Sequence, residues 1–464
     1  MALLNQLVLK NRRGAVLFIS MIFIIIFSTL AISTVTICGT NAQVANNQYK
    51  VNNARACAES GLEVTRYWMN RVSIPGTTEP SQRLSQIAYS LQNLLYENNI
   101  TNITTSFNGS TILISNATLD SSMNKYFSAT ISQVNTDKLQ VDVTGSYGST
   151  KRTVRVNYNF GTRANTVFDF GVATKGPLSL SGNVELDGIN ISVESNAYIE
   201  SEDSILALSI TGNSQIAGNV KIVNPIATVD LKGGHAGIGG ETGQDAVDNH
   251  VEFGVPPTEF PEPNPRYFEP YAINIVDSNT DTSSDTALEN IRILANTNPT
   301  FSGHATVKGV VFIESPNIVL FTGTANLTAI IAGDGDWTDD SATNKITFLG
   351  DVESSPISEL PYEEQFEGLH NETGTFVIAP GFYVTFGGSF ATLSGAIAGN
   401  GIEFNGNAGG VINGSILNYS NKEMSLCGNN DLYFNRSGID DIPAGFVPEI
   451  VFNYDPGSYS EIML

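Results

Sequence analysis

"GVVFIESPNIVLFTGTANLTAIIAGDG" (residues 309–335) is echoed by "GTFVIAPGFYVTFGGSFATLSGAIAGNG" (residues 374–401). Over the second half the two run in step without a gap: Ala325, Leu327, Ile331, Ala332, Gly333 and Gly335 match Ala391, Leu393, Ile397, Ala398, Gly399 and Gly401. A shorter pair lies upstream, "SGNVELDGINISV" (181–193) against "TGNSQIAGNVKIV" (211–223), and Ile-Ala-Gly-Asn stands at 216–219. Short apolar runs divided by Gly-Asn and Gly-Asp turns, in repeated blocks, predict a β-solenoid from about residue 165 to 464. One coil cannot bury its inner face alone, so like residues must pile on like residues of the next coil. Gly and Asn suit the corners because they tolerate positive φ. A β-sandwich or jelly roll would use the same turn chemistry.

Residues 233–300 break the repeat. "VPPTEFPEPNPRYFEP" (255–270) reads as an extended strap, and the spacing in "TALENIRIL" predicts a short helix near Ala287–Leu294. This insertion is expected along the outside of the solenoid. "GGHAGIGGETGQD" (233–245) lacks the ending of a phosphate loop.

Upstream of the repeat, residues 73–164 read as a small α+β head. Leu84, Ile87, Ala88, Leu91, Leu94 and Leu95 share one helix face, with start signals at Thr78–Ser81. Strands are expected at 111–115, 126–134, 139–147 and 153–160, the last two forming a hairpin over 145–149.

The N-terminal part, residues 1–72, is of another kind. From Gly14 to Tyr49 no residue is charged, and Ala15–Ile37 would make a helix of about 35 Å, long enough to cross a bilayer. Lys10, Arg12 and Arg13 precede it, so the N-terminus is expected inside and the body outside. Helical periodicity continues to about Val72 through a narrow stripe of Ala54, Ala58, Leu62, Thr65 and Met69. Residues 15–72 thus read as a transmembrane helix and its amphipathic extension. Residues 1–72 carry seven Lys/Arg and two acids, +5; the rest must carry −28 to give the total of −23. So acidic a body repels nucleic acid and anionic lipid, and no nucleic-acid partner is expected.

The basic leader "RRG", the apolar helix "AVLFISMIF" and the segment Ala58-Glu59-Ser60-Gly61-Leu62-Glu63 resemble type IV pilins and type II secretion pseudopilins, most of all the PilX-type minor pilins. The resemblance extends over about residues 1–72. It implies a leader of residues 1–14 cut by a prepilin peptidase between Gly14 and Ala15, anchorage in the inner membrane with the body in the periplasm, and then a place among other pilin or pseudopilin subunits in an extracellular filament. Major pilins carry a glutamate five residues into the mature chain; Ile19 stands there, which implies a minor or tip subunit. The fold class expected is thus mainly β: a long N-terminal transmembrane helix, a small pilin-like head and a large right-handed β-solenoid. An anchored surface solenoid with no filament role is the alternative.

No enzymatic activity is expected. Polysaccharide hydrolases of β-helical fold resemble one another in NTD, DD, GHG and RIK segments. Here Asn279-Thr280-Asp281, Asp339-Asp340 and Gly303-His304 occur out of that order, and the RIK segment is missing. Surface polysaccharide is instead a candidate partner. Asp334, Asp336, Asp339 and Asp340 crowd one seven-residue stretch; hard oxygens so close form a candidate Ca2+ site, or else a solvated acidic turn. No other cofactor is indicated. Cys38, Cys57 and Cys427 have no metal or disulfide spacing.

Overall fold

In the computed structural model, residues 2–339, 343–436 and 442–462 are described, with side chains from Ala15 onward. The chain forms two compact units: Met1–Ser73 with Glu79–Phe160 and Phe452–Leu464, and Ile74–Thr78 with Gly161–Val451.

The first unit is built on helix α1, Ala2–Met69, which has no break along its length. No proline or charge interrupts its apolar run, and its later turns bury Ala54, Cys57, Ala58, Leu62, Thr65, Trp68 and Met69. That stripe, with the four-residue and three-residue spacing of a single helix face, rests on an antiparallel sheet. The sheet strands are Thr105–Phe107, Thr111–Asp120, Lys125–Asn135, Lys138–Tyr147 and Thr150–Arg163, each pairing with the next. Alternation along them sends Ile131, Leu139, Val141, Val143, Val154 and Val156 into the core. Helix α2, Arg83–Glu97, buries the predicted Leu84, Ile87, Ala88, Leu91 and Leu95. Its expected cap differs: the N-cap is Gln82, and no side chain caps it. The strands Thr105–Phe107 and Glu449–Ile462 have no forerunner in the sequence reading. Glu449–Ile462 lies beside Thr150–Arg163, placing Tyr454 against Tyr158 at 5.7 Å and Phe452 against Phe160 at 5.4 Å. Beyond Glu449 and Ile450, which pair with Pro75 and Ile74, its outer side has no ladder partner among the described residues, and Pro456 is accommodated there.

The second unit is a parallel β-solenoid. Along one face the strands stack in the order Asn274–Val276, Thr286–Ile293, Ala305–Glu314, Ala325–Asp334, Thr375–Ala379, Ala396–Gly399, Ile416–Asn418, Val172–Thr174, Ala197–Ile199, Val220–Ile222, Val251–Phe253. The order is permuted. The chain joins the stack in its middle at Val172, winds to one end, crosses back, starts again at the other end and returns to the middle, where Ile416 pairs with Val172.

The repeats are coils in register. In the shorter echo, Leu208–Gly212 lies directly on Leu178–Gly182. The longer echo spans two coils, because Ile331 and its match Ile397 both pair with Val377. A third period, unread in the sequence, is shorter: all ten positions of Ala305–Glu314 sit on Ala325–Asp334, the next coil along. Inside, Phe301, Phe321, Phe348, Phe386 and Phe404 form one stacked column with ring centroids 4.8, 4.9, 5.0 and 5.0 Å apart. Each is almost fully buried, worth about 1.5–3 kcal/mol relative to exposure. Buried asparagines support one corner: Asn317 Oδ1 accepts from the Asn298 amide (2.7 Å), and Asn344 Oδ1 from that of Asn317 (2.9 Å).

Two expectations about the insertion are corrected. Residues 286–293 form a strand, because Asn290 takes φ 47°, which no helix interior accepts, and Ile291 and Ile293 face the core. Nor does all of 233–300 lie outside, since Asn274–Val276, Thr286–Ile293 and Thr300–Phe301 are coil strands. Only the proline-rich stretch is a strap. Its Phe260 and Phe268 cover outward apolar residues of the stack, among them Ala173, Tyr198, Phe312 and Leu417. A short helix α3, Gly243–His250, leads directly into the terminal strand of the stack, Val251–Phe253.

Candidate functional site

Three regions hold the residues that could act. The first is α1. Its residues from Ala15 through Tyr49 are exposed, and an 18-residue window within it reaches a mean hydropathy of 2.8 with nothing buried. A single helix of that length and composition is compatible with membrane anchoring. Lys10, Arg12, Arg13 and Gly14 lie outside the residues whose side chains are described; Ala15 is the first beyond them, and it is exposed. In the motif at 58–63, Ala58, Gly61 and Leu62 are buried against the sheet. A Cβ on Gly61 would stand 2.5 Å from the Phe127 ring, and one on Gly145 would strike the α1 backbone at Ala54 and Ala58. Glu59 and Glu63 sit at the edge of that contact. Glu59 accepts from Arg55 (3.0 Å) and Tyr459 (3.3 Å), and Glu63 pairs with Arg66 (2.8 Å).

The acidic stretch is the second region. Asp334 accepts two bonds from the guanidinium of Arg266, at 3.0 and 2.7 Å. Asp336 accepts from the amide and hydroxyl of Thr338 (2.8 and 2.7 Å), and the hydroxyl bond, then the amide, lowers its pKa. Asp339 donates its amide to the Asp336 carbonyl, and Asp340 lies outside the described residues. Asp334 and Asp336 thus already have partners. Among the described residues no three His, Cys, Asp or Glu stand close enough to share a metal. Asp281 accepts from Ser283 and Ser284, which holds its pKa at about 2, and the Asn326 amide meets the His304 ring at 2.8 Å.

The third region was not singled out by the sequence, since its residues come from distant segments. Lys175 follows the strand Val172–Thr174. Its ammonium stands over the rings of Phe260 (5.3 Å), Trp337 (5.3 Å) and Tyr419 (5.7 Å). Phe260 and Tyr419 are buried, their rings 5.4 Å apart, and the Tyr419 hydroxyl donates to the Pro261 carbonyl (2.6 Å). Trp337 packs edge-on against Tyr419 at 5.9 Å and remains 37% exposed. Glu200 lies one coil from Lys175, tied through the amide of Ser201, which donates to the Lys175 carbonyl. Burial raises the pKa of Glu200 to about 7, against the pull of Lys175 and with a further push from Glu202. Glu259 stands on the exposed rim, also within the field of Lys175. Among the described residues, the charged ends of Lys175, Glu200 and Glu259 have no hydrogen-bond or ion-pair partner.

No family model and no curated protein matches the chain. Among solved structures, it is similar to the competence-associated pilin ComZ of Thermus thermophilus, at 10% identity over 89% of this chain and 98% of that one, with a TM-score of 0.23. It is also similar to an ice-binding protein of the Antarctic ascomycete Antarctomyces psychrotrophicus, at 11% identity over 57% of this chain and 94% of that one, with a TM-score of 0.18. Both scores lie far below the value at which two chains share a fold.

Proposed function

We propose that the protein is a non-enzymatic, pilin-like subunit, anchored in the inner membrane by α1 and carrying its solenoid on the outer side. The observation that carries this reading is α1 itself. One unbroken helix is exposed and uncharged from Ala15 through Tyr49 and is the spine of an antiparallel sheet in its later turns. So much exposed apolar surface requires lipid or neighbouring helices to cover it. Lys10, Arg12 and Arg13 favour an inside N-terminus. Gly14 and Ala15 would be the two sides of a prepilin peptidase cut, and other pilin or pseudopilin subunits would pack on the freed helix. Ile19, in place of a glutamate, fits a minor or tip position of the PilX type.

Mass spectrometry of the N-terminal peptide, from membranes with and without the host's prepilin peptidase, tests this reading. A start at Ala15 that depends on the peptidase is expected. An uncut chain in both strains would overturn the pilin-like role and leave an anchored surface solenoid.

A further inference from the structure

We infer that the basin around Lys175, Trp337 and Glu200 is a saccharide-binding site on the solenoid. The site is separate from α1 and independent of how the chain is anchored.

Charged groups taken partly out of water are normally paired. Lys175 and Glu200 are half-buried and adjacent, with Glu259 at the rim, and among the described residues none is paired at its charged end. Ionic contacts elsewhere in the solenoid are made: Arg266 grips Asp334, and Arg292 grips Glu314, each at 2.7 Å. The basin therefore holds one ammonium and two carboxyl groups in a fixed place with unspent bonding capacity. Beside them stands Trp337, 37% exposed and the only tryptophan of this unit.

A pyranose fits that combination. Its hydroxyls both donate and accept, so one ring can satisfy an ammonium and two carboxylates together. Its axial C–H face is apolar and stacks on an exposed indole, which has an apolar body and tolerates a wet edge. Small ligands are recognised in general by apolar rings with a few convergent polar groups. A quaternary ammonium is the competing occupant of an aromatic cage. Lys175 already fills that cage with its own cation, which argues against a second positive charge.

The scaffold supports the residues that would make contact. Tyr419 is locked by its bond to Pro261, and Tyr198 accepts the Thr258 amide at 2.7 Å, so the strap carrying Phe260 and Glu259 is pinned at two points. Lys175 and Glu200 ride on adjacent coils, where the ladder fixes their spacing. A rigid, prearranged site loses less entropy on binding.

The test is isothermal titration calorimetry of the full chain in detergent micelles against cellohexaose, maltohexaose, mannohexaose and chitohexaose, with tetramethylammonium as the competing probe. Saturable binding of at least one hexasaccharide is expected. Trp337→Ala and Glu200→Gln should each weaken it about tenfold or more, and Trp337→Phe should restore most of the loss. Trp337 is a partly exposed residue and Glu200→Gln keeps the size and shape of the side chain, so both variants should keep the parent's fold by circular dichroism. Three results would each overturn the site: no saturable heat with any hexasaccharide, binding that both variants leave unchanged, or heat with tetramethylammonium alone. None of them touches the cleavage at Gly14, so failure here is distinguishable from failure of the pilin-like role.

Discussion

Glu200 holds its proton to about pH 7, where a free glutamate releases it near 4.5. The folded chain therefore binds this proton more tightly than the unfolded chain does. The sign follows: the contribution of Glu200 to stability is most favourable below pH 4.5 and declines as the pH rises towards 7. With solvent screening allowed for, the loss is on the order of 1 kcal/mol. Glu200→Gln should then be more stable than the parent above pH 7 and no more stable below pH 4.5, measured by urea unfolding of the solenoid across that range. A constant difference at all pH values would mean that Glu200 is not held in its acid form. Asp336 behaves otherwise, its pKa lowered because its carboxylate accepts bonds from the hydroxyl and amide of Thr338.

At the scale of elements, the contact between α1 and the head sheet depends on small residues facing one another. Gly145 lies on a sheet strand directly under Ala54 and Ala58 of the helix. Backbone atoms form both sides of that contact, and neither can step aside as a flexible side chain would. Gly145→Ala should cost the head about 1–3 kcal/mol through overpacking, although alanine is otherwise a better strand residue than glycine. Hydrogen exchange at the amides of 54–69 and 139–147 would report it as a shared loss of protection. Unchanged protection would mean that helix and sheet are not in close contact there. This explains the motif at 58–63 in local terms: Ala58 and Gly61 are small because a strand and the Phe127 ring occupy the space that side chains would fill.

At the scale of the whole molecule, residues 164–448 lie in sequence between two neighbouring strands of the head sheet, Thr150–Arg163 and Glu449–Ile462. The solenoid accommodates this insertion by its permuted winding, since the chain both joins and leaves the stack in the middle. An ordinary solenoid would have its ends apart. Replacing 164–448 with a short turn should leave a head that retains cooperative unfolding and the tight environment of Tyr158 and Tyr454. Near-ultraviolet circular dichroism and thermal melting of that variant would check it. A molten or aggregated product would show that the head needs the solenoid to fold.

The sequence by itself determined the class of each part. The uncharged run Ala15–Ile37 after two arginines dictates a long apolar helix, and short apolar runs between Gly-Asn turns dictate short strands. These are local signals, carried by adjacent residues in the helical and two-residue periods. The stripe at Ala54, Ala58, Leu62, Thr65 and Met69 and the echoes of 181–193 and 309–335 were legible for the same reason. Tertiary structure decided what depends on distant partners. The strand at 286–293 follows its neighbours in the stack, which outweigh a spacing that reads as helical. The strand at 449–462 meets a far earlier part of the chain, as where the Asn157 amide donates to the Ser458 hydroxyl. The meeting of Val172 with Ile416 has no local signal at all. The same holds for the basin, where Lys175, Glu200, Phe260, Trp337 and Tyr419 become neighbours only because the coils and the strap bring them together.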